Sequence, residues 1–261
     1  MKKLLCLAAV VVLSFLTGCT TVPETGRRQL LLTDSATETQ MGLEAFAAVK
    51  KETPVIADAA VKKRIEKIGQ RIAAAVGRSL PDAAWEFVVF NDDNTVNAFA
   101  LPGGKVGVYT GLIKLSSSDD EIAIVMGHEV AHVTSRHGGE RMSQAMVAQG
   151  LGAGLSAFTA ESKYRAVAET VYGLGAQGVI LAYSREHETE ADLIGLRFAA
   201  AAGYDPRAAA AFWRKMQAKS GGKEPIKWLS THPPTGERIM RLEQAAQSLM
   251  PLYEEARKRY Q

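Results

Sequence analysis

The residues of this chain best suited to chemistry are two histidines four positions apart with a glutamate beside the first: His128-Glu129-Val130-Ala131-His132. Side chains four apart project from one face of a helix, so both imidazoles can reach a single ion. Glu129 projects to the side of that pair, where its carboxylate can meet a water held by the ion without filling a coordination position. Zinc held by three protein ligands keeps one position open and lowers the pKa of its bound water to about 7, which yields a nucleophile at neutral pH. The pattern points to metal-assisted hydrolysis. Its bland alternative is a helix that carries two histidines and an accidental glutamate.

A catalytic zinc site needs a third ligand, and the C-terminal half offers Ser184-Arg185-Glu186-His187-Glu188-Thr189-Glu190-Ala191-Asp192. Glu188 and Asp192 are four apart and share a helical face, so one carboxylate could bind the ion while the other accepts a ring N–H from a ligand histidine. On spacing alone Glu186, His187 and Glu190 compete for the ligand position. A solvated, charged helix start would carry the same residues.

These groups need rigid elements behind them. Ser118 and Glu121 have capping-box spacing, and acidic residues crowd the start of the apolar run that carries the two histidines, so a helix is expected from Asp119 to about His137. Ser184 opens another, ending near Ala202 before Gly203. Asp34 or Ser35 caps a helix that ends near Pro54, and Asp58 starts one with Val61, Ile65, Ile68, Ile72 and Val76 on one face. Strands are expected around Trp85–Val89, at Thr95–Leu101 and at Lys105–Thr110, the last two flanking the Pro102-Gly103-Gly104 turn. Further helices follow Asp205-Pro206 and Thr235, the last of them bent at Pro251. No repeat or internal linker interrupts this order. The expected class is α+β, mostly helical, with a small and mainly antiparallel sheet beside the histidine helix. Met126, Met142 and Met146 read as packing residues. His137, five positions beyond His132, is expected to be neither ligand nor base.

Composition limits the partners. The 261 residues are 47% hydrophobic and 23% charged, with a formal net charge of +3, too little for a nucleic-acid-binding surface. The two cysteines, Cys6 and Cys19, both precede the folded body, so no disulfide framework holds it. Lys2 and Lys3 precede an apolar run from Leu4 to Leu16, too short to cross about 30 Å of hydrocarbon, and Leu16-Thr17-Gly18-Cys19 follows. Residues 1–18 therefore read as a signal peptide. Their end resembles the bacterial lipobox, which makes Cys19 the expected lipid anchor and residues 19–33 a polar tether. Thr20 in place of Asp resembles sorting to the periplasmic face of the outer membrane in a Gram-negative cell, or otherwise a cell-surface anchor.

With these residues in place the chain resembles the gluzincin peptidases of the HtpX and CAAX-prenyl-endopeptidase family, in particular soluble, lipid-anchored periplasmic members. The similar stretches, in family order, are Asn97-Ala98-Phe99-Ala100-Leu101-Pro102-Gly103-Gly104, the H-E-x-x-H helix, the S-R-x-x-E-x-x-A-D segment and Ser230-Thr231-His232-Pro233-Pro234, extending to Arg238. The resemblance implies a zincin-like fold over residues 34–261, with His128, His132 and Glu188 as zinc ligands and Glu129 as general base. It also implies that Asp192 supports a ligand, that His232 and Arg238 stabilise the oxyanion and order the site, and that Asn97 lies on a cleft-edge strand that grips substrate. On the residues alone His232 is equally a turn cap before Pro233, and Arg238 a surface helix residue.

The expected protein is a zinc endopeptidase of envelope quality control that acts on unfolded or extended polypeptide and meets the membrane through Cys19. It lacks the multiple spans of the membrane members, so prenylated substrates are not expected. The alternative is a chaperone or binding protein with a closed metal site. Segments 142–160 and 170–184 are free of charge and rich in glycine; a helical hairpin fits them better than a pair of membrane spans.

Overall fold

Side-chain caps set where the helices begin. Asp34 accepts a hydrogen bond from the Thr37 N–H (2.7 Å) and starts α1 (Ser35–Glu52), and Asp58 accepts from Ala60 and Val61 to start α2 (Ala59–Val76). The apolar face of α2 is buried at Ile65, Ile68, Ile72 and Val76. A single 3₁₀ turn (Gly77–Ser79) then leads into the sheet. The computed structural model describes residues 19–148, 183–220, 227–233 and 235–260, so residues 1–18 and most of 142–184 lie outside it.

The sheet contains β3 (Glu86–Phe90), β4 (Ala98–Leu101) and β5 (Lys105–Tyr109), in the order β3-β5-β4. Strands β4 and β5 form the expected hairpin, with Ala98 opposite Val108, and Gly103 and Gly104 take positive φ in its turn. Strand β3 runs parallel to β5. A separate antiparallel pair precedes it, β1 (Cys19–Thr21) with β2 (Arg28–Leu30), so the segment expected as a tether is a hairpin. Two of the three described pairings are antiparallel, and the class is α+β as expected. Alternation along the strands sends Ala98, Ala100, Val106 and Val108 into the main core. Phe99, Leu101 and Tyr109 join Phe46, Phe90, Met142 and Met146 on the other face. Met126 is also fully buried.

After α3 (Thr110–Leu115) comes α4 (Asp119–Thr134), which carries the histidine pair. Ser118 caps it, and the residues from Glu121 to Thr134 are all buried, so α4 is the central helix and packs against β4. It stops three residues earlier than expected. Arg136 takes a left-handed φ of 54°, an unfavourable conformation for a residue with a side chain, and its guanidinium is held by Glu38 (2.8 and 3.1 Å) and the Thr33 carbonyl (2.8 Å). Helix α5 (His137–Ala148) starts at once in a new direction.

The remaining helices are α6 (Arg185–Ala201, capped by Ser184), α7 (Ala208–Ser220), α8 (Lys227–Thr231) and α9 (Gly236–Arg257), which continues through Pro251. Helices α4 and α6 cross where Gly127 faces Gly195. A Cβ on Gly195 would lie 2.6 Å from the His128 backbone, and one on Gly127 would lie 2.6 Å from the Gly195 carbonyl oxygen. That approach brings the two chemistry-bearing helices together.

Candidate metal centre

Four side chains from three stretches of sequence converge at this crossing. His128 and His132 come from successive turns of α4, Glu188 from the first turn of α6, and His232 from just beyond α8. One ligand atom from each lies within 4.8 Å of all the others, and all four residues are buried. His128 Nε2 is 3.1 Å from His132 Nε2 and 3.2 Å from His232 Nδ1. Glu188 Oε1 is 2.7 Å from His232 Nδ1 and 3.4 Å from His132 Nε2.

Donors that each sit about 2.0–2.2 Å from a tetrahedral zinc are about 3.3–3.6 Å apart, and the observed spacings of 2.7–3.4 Å lie within or just below that range. Three ring nitrogens and a carboxylate that face one another in a dry pocket need a cation or protons between them. The residues present therefore fit a divalent metal. Burial and the neighbouring His128 hold His132 well below its ordinary pKa, so its nitrogen is an unprotonated donor. Burial would raise the Glu188 carboxyl, but His232 and Arg238 outweigh it and hold the group well below the usual range. For His128 burial is outweighed in the opposite sense by Asp192 and Glu188, which raise it, so a metal displaces a proton there.

Asp192 stands where the resemblance implied, with Oδ1 3.1 Å from His128 Nδ1. Arg238 grips both of its oxygens (2.6 and 2.7 Å), forms an ion pair with Glu188 Oε2 at 2.6 Å, and lies 3.6 Å over the Trp213 ring. Arg238 is thus buried behind the donors, in a position to order them. Glu129 sits beside the donors, where its Oε1 accepts the Trp228 indole N–H at 2.6 Å and is 3.5 Å from His232 Nε2. His232, expected to face an oxyanion, stands as a fourth donor. Asn97 is buried immediately before β4, with its carbonyl accepting from the Tyr109 N–H. Among the described residues no strand pairs with the outer edge of β4.

The three rivals for the ligand position separate cleanly. Glu186 is exposed, while His187 and Glu190 are buried but lie outside the donor group. His137 lies outside the donor group but next to it. Because α4 breaks at Arg136, its ring meets His132, Nδ1 to Nδ1, at 2.8 Å. Two aromatic residues escaped the sequence reading. Tyr183 stacks on His132 at 3.8 Å between ring centres, and burial pushes its hydroxyl up to about 12. Trp228, which supports Glu129, lies 4.9 Å from His232. Its place four residues before His232, on the same side of one turn, was the available signal. The side chain of Cys19 lies outside the description, and among the described residues no helix is long and apolar enough to cross a membrane.

Known proteins are similar to this chain in sequence. The chain is 36% identical over 182 residues to the mitochondrial metalloendopeptidase OMA1 of Schizosaccharomyces pombe, a match that covers 69% of this chain and 51% of that protein. It is 34% identical over 213 residues to a putative beta-barrel assembly-enhancing protease of Vibrio cholerae (78% and 43%). To the beta-barrel assembly-enhancing protease of Escherichia coli it is 29% identical over 251 residues (92% and 50%). The chain thus spans about half the length of these relatives. The model of peptidase family M48 matches residues 59–246, a stretch that contains all four donors and Glu129, and the chain belongs to that family.

Proposed function

We propose that the chain is a zinc-dependent endopeptidase. The observation that carries this reading is the convergence of His128, His132, Glu188 and His232 beside the Glu129 carboxylate. Zinc held there would supply a Lewis acid for the scissile carbonyl and would acidify the attacking water. Glu129 takes the proton from that water at its carboxylate and delivers it to the leaving amine. The Trp228 indole N–H fixes the orientation of the carboxylate. His232 would have to leave the donor group to donate to the developing oxyanion, where such a donor contributes about 3–4 kcal/mol. Arg238 and Asp192 hold Glu188 and His128 in place.

The substrate is extended or unfolded polypeptide, gripped by main-chain hydrogen bonds along the edge of β4, next to Asn97, that no described strand pairs. Work on envelope proteins is suggested by the relatives named for β-barrel assembly. The soluble, lipid-anchored subtype of the HtpX and CAAX-prenyl-endopeptidase group, with Cys19 acylated at the periplasmic face of the outer membrane, is supported by Lys2, Lys3, the apolar run and Leu16-Thr17-Gly18-Cys19. Incorporation of labelled palmitate that disappears in Cys19→Ser tests the anchor.

One observation favours a second reading. Four protein donors close a tetrahedral site, as in structural zinc centres, whereas catalytic ones keep a position open. The closed-site chaperone or binding protein is the reading that uses all four at once. Chelator-sensitive cleavage of unfolded casein separates the two. In Glu129→Gln zinc content stays at the wild-type level while cleavage falls by two or more orders of magnitude; unchanged turnover would refute the peptidase.

A further inference from the structure

We propose that the amino-terminal hairpin is a working part of the metal centre: Arg27, Glu190 and His137 are positioning residues that fix the ring of His132. The proposal rests on reading His132 as a metal ligand.

It begins from a repeated pattern. His137-x-x-Glu140 opens α5 and His187-x-x-Glu190 opens α6, and in each the two side chains share a face of the first turn. The pairs bond crosswise, His137 Nε2 to Glu190 Oε2 at 2.9 Å and His187 Nε2 to Glu140 Oε2 at 3.0 Å. The two imidazoles stack with their centres 4.4 Å apart. All four residues are buried, so the two carboxylates need a positive charge between them.

Arg27 supplies that charge. Its Nε donates to Glu190 Oε2 at 2.8 Å, while its terminal nitrogens reach Glu140 Oε2 at 2.7 Å and Oε1 at 3.1 Å. The Thr25 hydroxyl donates to the other oxygen of Glu190. Both residues belong to the turn between β1 and β2, which is fastened to the body by the fully buried Val22 and by the Leu32 N–H on Ser143 Oγ at 2.8 Å. The guanidinium fills the space between the two carboxylates.

From Glu190 the chain of bonds has one direction. His132 turns Nε2 toward the donor group, so a lone pair is required there and its proton sits on Nδ1. That proton is given to His137 Nδ1 at 2.8 Å, which must accept it. The proton of His137 is therefore on Nε2 and goes to Glu190, whose other contacts are Arg27 and Thr25. With neutral rings a single assignment of tautomers satisfies both the His137–Glu190 and the His132–His137 contacts, and it is the one in which His132 offers a lone pair to the metal. Partners of this kind behind a ligand histidine are worth 10–100-fold in metal affinity. His128 has its own support in Asp192, so loss of the hairpin contacts weakens the centre without abolishing it.

The test is zinc affinity, measured by competition with a chromogenic chelator on the purified protein. Wild type is compared with Arg27→Ala, Arg27→Lys, Glu190→Gln and His132→Ala, and unfolding of each metal-free protein is followed in parallel. The expected result is a zinc dissociation constant raised about 10–100-fold in Arg27→Ala and Glu190→Gln, with part of the loss recovered in Arg27→Lys. Affinities within twofold of wild type overturn the proposal, as does a lowered unfolding midpoint with zinc affinity unchanged. Should Arg27→Ala not fold, Glu190→Gln decides by the same criterion. Wild type that takes up no zinc, or His132→Ala that binds it as tightly, defeats the metal reading itself; zinc bound normally but indifferent to Arg27 and Glu190 defeats only the present inference.

Discussion

The two histidines of α4 are supported from opposite ends of the chain by matching series of groups. Behind His128 stand Asp192 and then Arg238; behind His132 stand His137, Glu190 and then Arg27. Each series ends in a carboxylate held by an arginine. They differ in depth. The Arg238 side chain is 4% exposed, lies on Trp213 and belongs to the long helix α9, whereas that of Arg27 is 19% exposed and sits on a hairpin of three-residue strands. The same arrangement is built once into the core and once at the margin. The inner copy is bound up with overall stability, while the outer one can change without unfolding the body.

The largest difference between the two sides is expected from Arg238→Ala. It leaves Glu188 and Asp192 buried without their cation, at a cost of about 3–5 kcal/mol to the metal-free fold, visible as a lowered urea midpoint. Arg27→Ala lowers the same midpoint by less than half as much, since the Arg27 side chain is 19% exposed and water can take its place beside the carboxylates; equal losses would erase the distinction drawn here. A second variant strikes both sides together. Gly195→Ala forces a methyl group against the His128 backbone, should cost about 1–3 kcal/mol in thermal unfolding, and should weaken zinc binding by spreading the two helices.

Acid should distinguish the sides most gently. Burial opposes ionisation of Glu140 and Glu190, but hydrogen bonds from His187 and Arg27 hold Glu140 at about 2, and those from His137, Thr25 and Arg27 hold Glu190 at about 2. Carboxylates depressed in this way stabilise the fold fully above their ordinary value of about 4.5 and lose that contribution as pH falls from there toward 2. Amide exchange in residues 19–30 should therefore quicken, relative to α4, across that window and not between pH 5 and 7.

What the sequence disclosed, and what it withheld, follows the range of the forces involved. The cap at Ser118, the histidine face of α4 and the shared face of Glu188 and Asp192 are local, and each stands as read. The end of α4 is not local. Its break at Arg136 depends on Glu38, 98 residues away, and it is this break that brings His137 back to His132. Arg27 read as part of a polar tether because its partners are more than a hundred positions distant. The parallel pairing of β3 with β5 likewise has no signature in the alternation of either strand.

The scattering of the four donors over positions 128, 132, 188 and 232 bears on how the molecule is made. A chain synthesised only as far as α5 has at most the helix pair in place, because Glu188 and His232 lie 56 and 100 positions beyond His132. The donor group is therefore completed only once the hundred residues that follow His132 have been made and packed.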